Sequence, residues 1–238
     1  MKIGPLKEAI MLCRAAGTTS LTWSHRGLGK SQIHEQTATE NRLGFIDMRL
    51  SQSESSDLRG LPDADRIKGI TRYLPPADLP QGGISWEQYM EELDLVKVMV
   101  DGIGESQATE LLRTDPRIAE NPTQVIAILA SMGKDREATE IARKKAEMQT
   151  RLDRGILFLD ELNRAQDDVI QAAFQLVLEH RLGTYVLPSG WSVHSAGNFM
   201  EGYMTNGFTD PAFLNRFCHL RLDGGELTLE EWVSYMSE

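Results

Sequence analysis

The sequence has few cysteines and no long hydrophobic run. Cys13 and Cys218 are the only cysteines in its 238 residues, and neither they nor the five histidines show the spacing of a zinc site. We interpret both cysteines as reduced core residues, which is typical of a cytoplasmic protein. The apolar segment AIMLC near the N-terminus ends before Arg14, so it is too short for a signal peptide or a membrane span. We therefore expect a cytoplasmic protein with no membrane partner.

The chain also lacks an excess of positive charge. Its 25 Lys and Arg residues are outnumbered by 35 Asp and Glu residues, which gives a formal net charge of −10. This balance argues against nucleic acid as the main partner, although it leaves room for a local basic stripe. The composition is otherwise ordinary for a globular protein, with 41% hydrophobic residues, and it is sufficient for one sizeable core.

A glycine-containing segment near the N-terminus predicts a phosphate-binding loop. Residues 24–31 read SHRGLGKS, after the short strand SLTW and before the helix-forming residues SQIHEQTATENR. Backbone N–H groups of such a loop and of a helix N-terminus surround phosphate oxygens, while Lys30 reaches the outer phosphates and Ser31 holds Mg²⁺. The predicted nucleotide-binding residues are Ser24, His25, Arg26, Gly27, Leu28, Gly29, Lys30, Ser31 and Gln32.

This loop departs from the usual phosphate-loop pattern at its first position. Ser24 stands where GxxxxGK[ST] has glycine, and serine disfavours positive φ, so we expect a strained or differently shaped loop there. A Rossmann dinucleotide site is not supported, because Gln32 occupies the position of the last glycine in GxGxxG. Taken alone, SHRGLGKS is also compatible with a chance Gly-Lys-Ser in a turn.

The segment GILFLDELNRA at 155–165 supplies a second motif. Its apolar run is typical of a strand buried on both faces of a parallel sheet, and it ends in Asp160 and Glu161. The alternative is a plain surface turn in which Asp160 caps the next helix. In combination with the lysine loop, the two acids favour a nucleotide site. Asp160 and Ser31 then hold Mg²⁺, and Glu161 orients and deprotonates the attacking water.

Five segments in this order resemble the AAA+ ATPases, and within them the MoxR-like group that includes the dynein-related ATPase domains. They are SHRGLGKS (Walker A), FIDMRLSQSESSDLRGLP, GILFLDELNRA (Walker B), SAGN at 195–198 and DPAFLNRF at 210–217. The resemblance implies that Asn198 is sensor 1, which helps to position the hydrolytic water, and that Arg216 is an arginine finger. The alternatives are a strand-end turn residue for Asn198 and a solvated surface arginine for Arg216.

The resemblance also implies cofactors and partners. The expected cofactors are ATP and Mg²⁺. Because an arginine finger in this family reaches the nucleotide of a neighbouring subunit, self-assembly into a ring, most often a hexamer, is expected. The implied function is ATP hydrolysis coupled to remodelling or assembly of a protein client, often in this family a protein with a von Willebrand A domain. The two alternatives are a nucleic acid translocase and an ATP-binding scaffold with little turnover.

The region between the motifs is longer than in the family. Residues 82–152 contain three stretches with helical spacing, and Asn121 and Pro122 form an expected helix start. The stretches are ISWEQYMEELDLVKVMV, NPTQVIAILASM and DREATEIARKKAEMQTRL. We interpret this region as a small helical insertion that either docks a partner or packs on the subunit's own surface. Further along, RLGTYVLPSGWSVHS predicts a β-hairpin that turns at 188–190.

The predicted fold class is α/β, a three-layer P-loop NTPase (AAA+) core over residues 1–222 with a parallel five-stranded sheet. The expected strands are near 19–23, 45–50, 155–159, 193–198 and 217–222. The nucleotide is expected at the carboxyl ends of these strands. Residues 223–238 resemble the start of a helical lid that the sequence leaves truncated. The sequence does not identify the client, the number of subunits or the role of the insertion.

Overall fold

The structure is a computed structural model that describes residues 1–65, 70–199 and 211–222. The chain divides into two compact units, one formed by Met1–Leu79 with Gly155–Glu238 and the other by Pro80–Arg154. The second unit covers the segment interpreted above as an insertion. The segment interpreted as the start of a lid, 223–238, lies outside the described residues.

Helices and strands alternate along the first unit, whereas helices make up the second. The described α-helices are α1 (Ile3–Ala15), α2 (Lys30–Glu40), α3 (Ser55–Arg59), α4 (Trp86–Leu93), α5 (Leu95–Ile103), α6 (Glu105–Thr114), α7 (Pro122–Ser131), α8 (Asp135–Gln149), α9 (Asp167–Glu179) and α10 (Pro211–Leu214). The described strands are β1 (Ser20–Ser24), β2 (Gly44–Arg49), β3 (Leu61–Asp65), β4 (Ile70–Leu74), β5 (Arg154–Asp160), β6 (Arg181–Leu182), β7 (Tyr185–Val186), β8 (Gly190–Asn198) and β9 (Cys218–Arg221). Among the helices within the described ranges, none has both the length and the apolar character that crossing a bilayer requires.

Five strands form the central sheet of the first unit, in the order β2-β5-β8-β1-β9. The strands run parallel, so their carboxyl ends meet at one edge; Ser20 of β1, for example, is level with both His194 of β8 and Cys218 of β9. The predicted α/β class with a parallel five-stranded sheet is confirmed. The strand order brings β1, β5 and β8 together in the middle of the sheet, and the predicted site residues other than Arg216 lie at or just after the ends of these strands.

The core of the first unit explains why β5 is apolar along its length. Ile156 and Phe158 of β5 belong to a buried cluster with Leu6 of α1 and Ile33 of α2. Because side chains alternate along a strand, Leu159 points to the opposite face, and it is also fully buried. A strand covered on both faces requires a continuous apolar run, and this requirement places Asp160 at the end of the strand.

Two local expectations were wrong. The segment predicted as a hairpin turning at 188–190 instead forms the antiparallel pair β6–β7, which turns at Gly183, and its remainder enters the central sheet as β8. Gly183 has a φ of 58°, the left-handed conformation that a tight turn requires. The stretch ISWEQYMEELDLVKVMV is two helices, α4 and α5, because Asp94 between them has a φ of 46°. The 3.6-residue periodicity continues across this break, so the periodicity alone did not reveal it.

The second unit is helical, and its helix starts follow the usual capping rules. The side chain of Asn121 accepts a hydrogen bond from the backbone N–H of Gln124 at 3.2 Å, and Pro122 is the first residue of α7, as predicted. At α4, Ser85 and Gln88 form a capping box. These caps determine where α4 and α7 begin.

We expect Gly155→Ala to destabilise the sheet. A Cβ at Gly155 would lie 2.6 Å from the ring of Trp191 and 2.8 Å from the carbonyl oxygen of Gly44, the facing residue on β2. Because a backbone oxygen on a paired strand cannot move away freely, the substitution is expected to lower the free energy of unfolding by about 1–3 kcal/mol in urea titration. Gly4→Ala in α1, where a Cβ would meet open space, is the matched control and is expected to be neutral or slightly stabilising. Equal effects of the two variants would contradict this packing argument.

Candidate functional site

The segment SHRGLGKS forms a loop that joins the end of β1 to the start of α2. Gly27 and Gly29 both have positive φ, at 79° and 71°, so the chain reverses in a conformation that residues with a Cβ rarely adopt. Gly29 is also the N-cap of α2 and has no side chain with which to cap it. The first-turn N–H groups of α2 therefore point out of the helix at the carboxyl edge of the sheet, an arrangement suited to an anion.

Ser24 does not strain this loop. It is the last residue of β1, it is buried, and it is not among the described non-glycine residues with positive φ. Its hydroxyl donates to the carbonyl oxygen of His25 at 2.8 Å and accepts a hydrogen bond from the ammonium of Lys30 at 3.0 Å. Of the two outcomes expected at Ser24, strain is not observed, because the left-handed conformations occur at Gly27 and Gly29 instead.

The side chain of Lys30 crosses the site and is only 9% exposed. Its Nζ donates to Asn198 Oδ1 at 2.9 Å, to Ser24 Oγ at 3.0 Å and to the carbonyl oxygen of His25 at 3.4 Å. Burial lowers the pKa of Lys30, and the carboxylates of Asp160 and Glu161 oppose that shift. Lys30 is thus a partly desolvated cation held by neutral oxygens, which a charged phosphate oxygen could replace.

Asp160 ends β5 and faces the first turn of α2. Its Oδ2 accepts a hydrogen bond from the hydroxyl of Ser31 at 2.9 Å, and its Oδ1 accepts one from the backbone N–H of Glu161 at 2.7 Å. Its residue exposure is only 8%. The hydroxyl and the carboxylate predicted to hold a metal ion are therefore adjacent, although they come from distant parts of the sequence.

Glu161 follows Asp160 in a left-handed conformation, with a φ of 53°. Its Oε1 accepts a hydrogen bond from Arg164 at 2.9 Å, and its Oε2 accepts one from the hydroxyl of Ser51. Burial acts to raise the pKa of Glu161, but the Ser51 hydroxyl and the Arg164 guanidinium outweigh it, and the pKa lies below its usual range. Glu161 is therefore an ionised carboxylate at neutral pH whose two oxygens both have donors.

Asn198 ends β8 and is held by Asn163, which follows β5. The amide of Asn163 donates to the carbonyl oxygen of Asn198 at 2.8 Å and accepts from the backbone N–H of Asn198 at 3.2 Å. Both residues are almost fully buried. This reciprocal pair ties the ends of the two strands together and leaves Asn198 Oδ1 directed at Lys30.

A buried histidine lies behind the phosphate-binding loop. His34 is in α2, its Nδ1 is 2.9 Å from the carbonyl oxygen of Lys30, and its ring centre is 4.3 Å from that of Phe158 in β5. Burial lowers the pKa of His34 to about 4, so the ring is neutral at pH 7 and donates through Nδ1. His34 therefore supports the first turn of α2 without adding charge to the site.

Several site residues were not identified from the sequence: Ser51, Asn163, Arg164 and His34. Arg164 lies three residues after Glu161, a spacing that brings side chains together in a helical turn, so GILFLDELNRA contained a usable signal for this ion pair. The contacts of Ser51 and Asn163 depend on the order of strands in the sheet, and the sequence holds no local signal for them. His34 contacts the carbonyl oxygen of Lys30 within the same helix, but its packing on Phe158 depends on the tertiary fold.

The remaining predicted nucleotide-binding residues lie at the rim of the loop. His25, Arg26 and Gln32 are exposed, and the His25 ring makes an edge contact with Phe199, with ring centres 5.0 Å apart. Leu28 is half-buried and packs against the core cluster. His25, Arg26 and Leu28 belong to the loop, whereas Gln32 lies in the first turn of α2.

Arg216 is not part of this constellation. It is exposed and comes just before β9, and the first residue of β9 is level with Ser20, the first residue of β1. Lys30 comes after Ser24, the residue at the carboxyl end of β1. Arg216 and Lys30 therefore lie at opposite edges of the sheet, separated by the length of β1, roughly 15 Å for five residues.

The donor set around Asp160 fits Mg²⁺, although it is small. In residues 1–65, 70–199 and 211–222, no group of three or more His, Cys, Asp or Glu side chains could hold a metal ion. Mg²⁺ does not require such a cage, because it keeps several waters and is usually bound by one or two protein oxygens together with substrate phosphates. The Ser31 hydroxyl and the Asp160 carboxylate, in contact at 2.9 Å, meet that requirement.

Comparison with known proteins gives a match at the level of structure. No family model and no curated protein sequence matches the chain. Among solved structures, it is similar to a crystal structure of a "putative ATPase" from Cytophaga hutchinsonii, with a TM-score of 0.50 and 15% sequence identity. The chain shares that fold.

The match is unequal in length. It covers 99% of this chain but 52% of the other, so this chain spans about half the length of the protein that it resembles. At 15% identity, the likeness shows the fold, and the activity has to be argued from the site.

Proposed function

We propose that this chain binds ATP together with Mg²⁺ and hydrolyses it, as a MoxR-like member of the AAA+ ATPases. The observation that carries the proposal is the convergence of an ammonium group, a hydroxyl, two carboxylates and an amide at the carboxyl edge of the sheet. These groups belong to Lys30, Ser31, Asp160, Glu161 and Asn198. In open α/β sheets, ligands bind at this edge.

The loop and α2 are the elements that would bind the triphosphate. A triphosphate beside Gly27 and Gly29 would meet the first-turn N–H groups of α2, and Lys30 would exchange Ser24 and Asn198 for phosphate oxygens. Ser31 and Asp160 are the residues that would hold Mg²⁺, which neutralises charge on the phosphates when bound. The lowered pKa of Lys30 reports the cost of its desolvation, and phosphate charge would reverse that shift.

The Glu161 carboxylate and the Asn198 amide are the groups that would take part in hydrolysis. Glu161 is the group that would accept a proton from the attacking water, and it is already ionised because Ser51 and Arg164 lower its pKa. Asn198 would keep its amide near the outer phosphate, since Asn163 holds its backbone on both sides. The ends of β5 and β8 therefore position the two groups independently of the nucleotide.

Assembly is the part of the proposal that involves Arg216. Since Arg216 lies at the sheet edge opposite Lys30, it is too far from the loop of its own subunit to contact a nucleotide there, whereas its exposed side chain would be accessible to the nucleotide of a neighbouring subunit. We propose that the subunits form a ring, which in the family that the sequence resembles is most often a hexamer. The ring would act in the cytoplasm on a protein client. A von Willebrand A domain protein is the client class that the resemblance suggests.

A second candidate function is an ATP-binding scaffold with little turnover. It is favoured by the two donors on Glu161: with Oε1 on Arg164 and Oε2 on Ser51, the carboxylate must release one of them before it can take a proton from water. A carboxylate that stays paired would leave a site that binds nucleotide without cleaving it.

Two measurements test the proposal. Calorimetric titration with ATP and Mg²⁺ is expected to show saturable binding, and a phosphate-release assay is expected to show turnover above a protein-free blank. Binding without release would favour the scaffold, and the absence of heat at any nucleotide concentration would refute both candidates. Stimulation of turnover by DNA or RNA would instead favour the translocase, for which the net charge of −10 gives no support.

Arg164→Gln is expected to change the pH dependence of phosphate release. The Ser51 hydroxyl and the Arg164 guanidinium together hold the pKa of Glu161 below its usual range, so removal of the guanidinium raises that pKa and protonates the base at a higher pH. The acid limb of the pH–rate profile is therefore expected to move to higher pH, with more activity lost in acid than in alkaline buffer. Arg113→Gln breaks an exposed pair with Glu110 at the same spacing and is the control. An unshifted profile would show that Arg164 does not act on the base.

A further inference from the structure

The fold brings the two cysteines of the chain together. Cys13 lies in the last turns of α1 and Cys218 is the first residue of β9, and both are free thiols. Cys13 lies on the face of α1 that also buries Leu6 and Ile10, and Cys218 packs against the core cluster that contains those two residues, so the two thiols lie on the same side of α1. Since the chain has no other cysteine, any exchange between thiols within one molecule involves this pair.

The backbone maintains this arrangement through the turn between α1 and β1. The carbonyl oxygen of Cys13 accepts a hydrogen bond from the N–H of Thr18 at 2.9 Å. The N–H of Cys218 donates to the carbonyl oxygen of the next residue, Thr19, also at 2.9 Å. Both cysteines are thus anchored to consecutive residues, and Cys218 also packs against the core cluster that contains Leu6 and Ile10 of α1.

The two thiols differ in access to solvent. Cys13 is only 7% exposed, whereas Cys218 is half-buried. Burial and the neighbouring Cys218 raise the pKa of Cys13 to about 11, so Cys13 is a protonated thiol at neutral pH. A dissolved reagent would therefore meet Cys218 first, and Cys13 would react only with a group already attached to its neighbour.

We propose that Cys13 and Cys218 form a dithiol site that exchanges with small-molecule disulfides and closes into an intramolecular disulfide. In the first step, the Cys218 thiolate attacks a disulfide RSSR, which forms Cys218–S–S–R and releases one RS⁻. In the second step, Cys13 loses its proton and its sulfur displaces the second RS⁻ from Cys218. The two cysteine protons pass to the released thiolates, so the protein is oxidised by two electrons while RSSR is reduced to two RSH.

The disulfide would link α1 to β9, which lie near the two ends of the described sequence of the first unit. A cross-link between such distant positions restricts the unfolded chain far more than the folded one, so the oxidised protein is expected to resist unfolding. The dithiol site is independent of nucleotide chemistry, since neither cysteine belongs to the group of residues around Lys30.

The test uses the full chain in non-reducing buffer with oxidised glutathione as RSSR. We expect both titratable thiols to disappear, the intact mass to fall by two hydrogens, and a peptide map to contain the Cys13-to-Cys218 linkage. The urea midpoint is expected to rise on oxidation and to return after treatment with a reductant. Persistence of both thiols, accumulation of a stable glutathione adduct, or disulfide-linked dimers as the main product would each overturn the proposal.

Two single variants separate the steps. Cys13→Ala is expected to stop at the mixed disulfide on Cys218, because the displacing thiol is missing. Cys218→Ala is expected to stay unmodified, because the remaining thiol is buried. Neither variant is expected to show the rise in the urea midpoint. If Cys13→Ala fails to fold, as judged by circular dichroism, the peptide map of the oxidised wild-type chain still decides the outcome.

Discussion

Lys30→Ala is expected to weaken ATP binding by about 10- to 100-fold, measured by calorimetry in the presence of Mg²⁺. A hydrogen bond to a charged group contributes roughly 1.5–3 kcal/mol, and about 1.4 kcal/mol corresponds to a tenfold change in affinity. Lys30 is the cation that the fold directs into the loop, and alanine leaves the outer phosphates without that partner. The loss is therefore expected in affinity and, at limiting nucleotide, in phosphate release.

The fold is expected to tolerate this change. Burial already disfavours the charged form of Lys30, so removing the ammonium relieves a desolvation cost while it leaves Ser24 and Asn198 without one donor. Circular dichroism and the urea midpoint check this point. Lys97→Ala, on the exposed side of α5 in the second unit, is the matched control and is expected to bind ATP normally. Unchanged affinity in Lys30→Ala would remove the phosphate loop from the proposed function.

Glu161→Gln is expected to lower the rate of phosphate release by about 100- to 10,000-fold, while its affinity for ATP stays within a few-fold of the wild-type affinity. General-base catalysis contributes a factor of this size, and glutamine cannot accept the proton from water. Glutamine has nearly the same shape and keeps an amide oxygen for the Ser51 or Arg164 donor, so the left-handed turn after β5 is expected to persist.

The control for this variant is Glu140→Gln, which changes an exposed carboxylate of α8. It is expected to match the unchanged protein in both assays. If Glu161→Gln and the unchanged protein release phosphate at the same slow rate while both bind ATP, the scaffold is the correct function and hydrolysis is not.

The central sheet was predictable because burial and strand position determine its composition. β5 is covered on both faces, so its sequence reads as one apolar run that ends in acids. β1 ends where the glycines begin, because the chain must reverse there through left-handed conformations. Such signals are local in sequence, and strand positions near the predicted ones follow from them.

The supporting contacts of the site were less predictable. Lys30, Ser31 and Asp160 carry functional groups in a recognisable pattern, whereas Ser51 and Asn163 act through neighbours that only the strand order supplies. Ser51 meets Glu161 because β2 pairs with β5. Asn163 meets Asn198 because β8 lies next to β5.

The error at Ser24 has a related cause. The phosphate-loop pattern associates its first position with glycine, but a residue needs glycine only where its own φ is positive. In this chain, Ser24 still belongs to β1, and the reversal starts later. The residue type is visible in the sequence, whereas the backbone conformation at that residue depends on where the strand ends.

The positions of Arg216 and Lys30 at opposite sheet edges have a geometric consequence for any assembly in which one subunit completes the site of the next. Contact between unlike edges is head-to-tail, so it propagates and does not stop at two copies. An open row of subunits always ends in one copy whose nucleotide has no arginine donor. Only a closed ring gives every copy an arginine donor from its neighbour. In such an assembly, turnover per subunit would rise with protein concentration until the rings are complete.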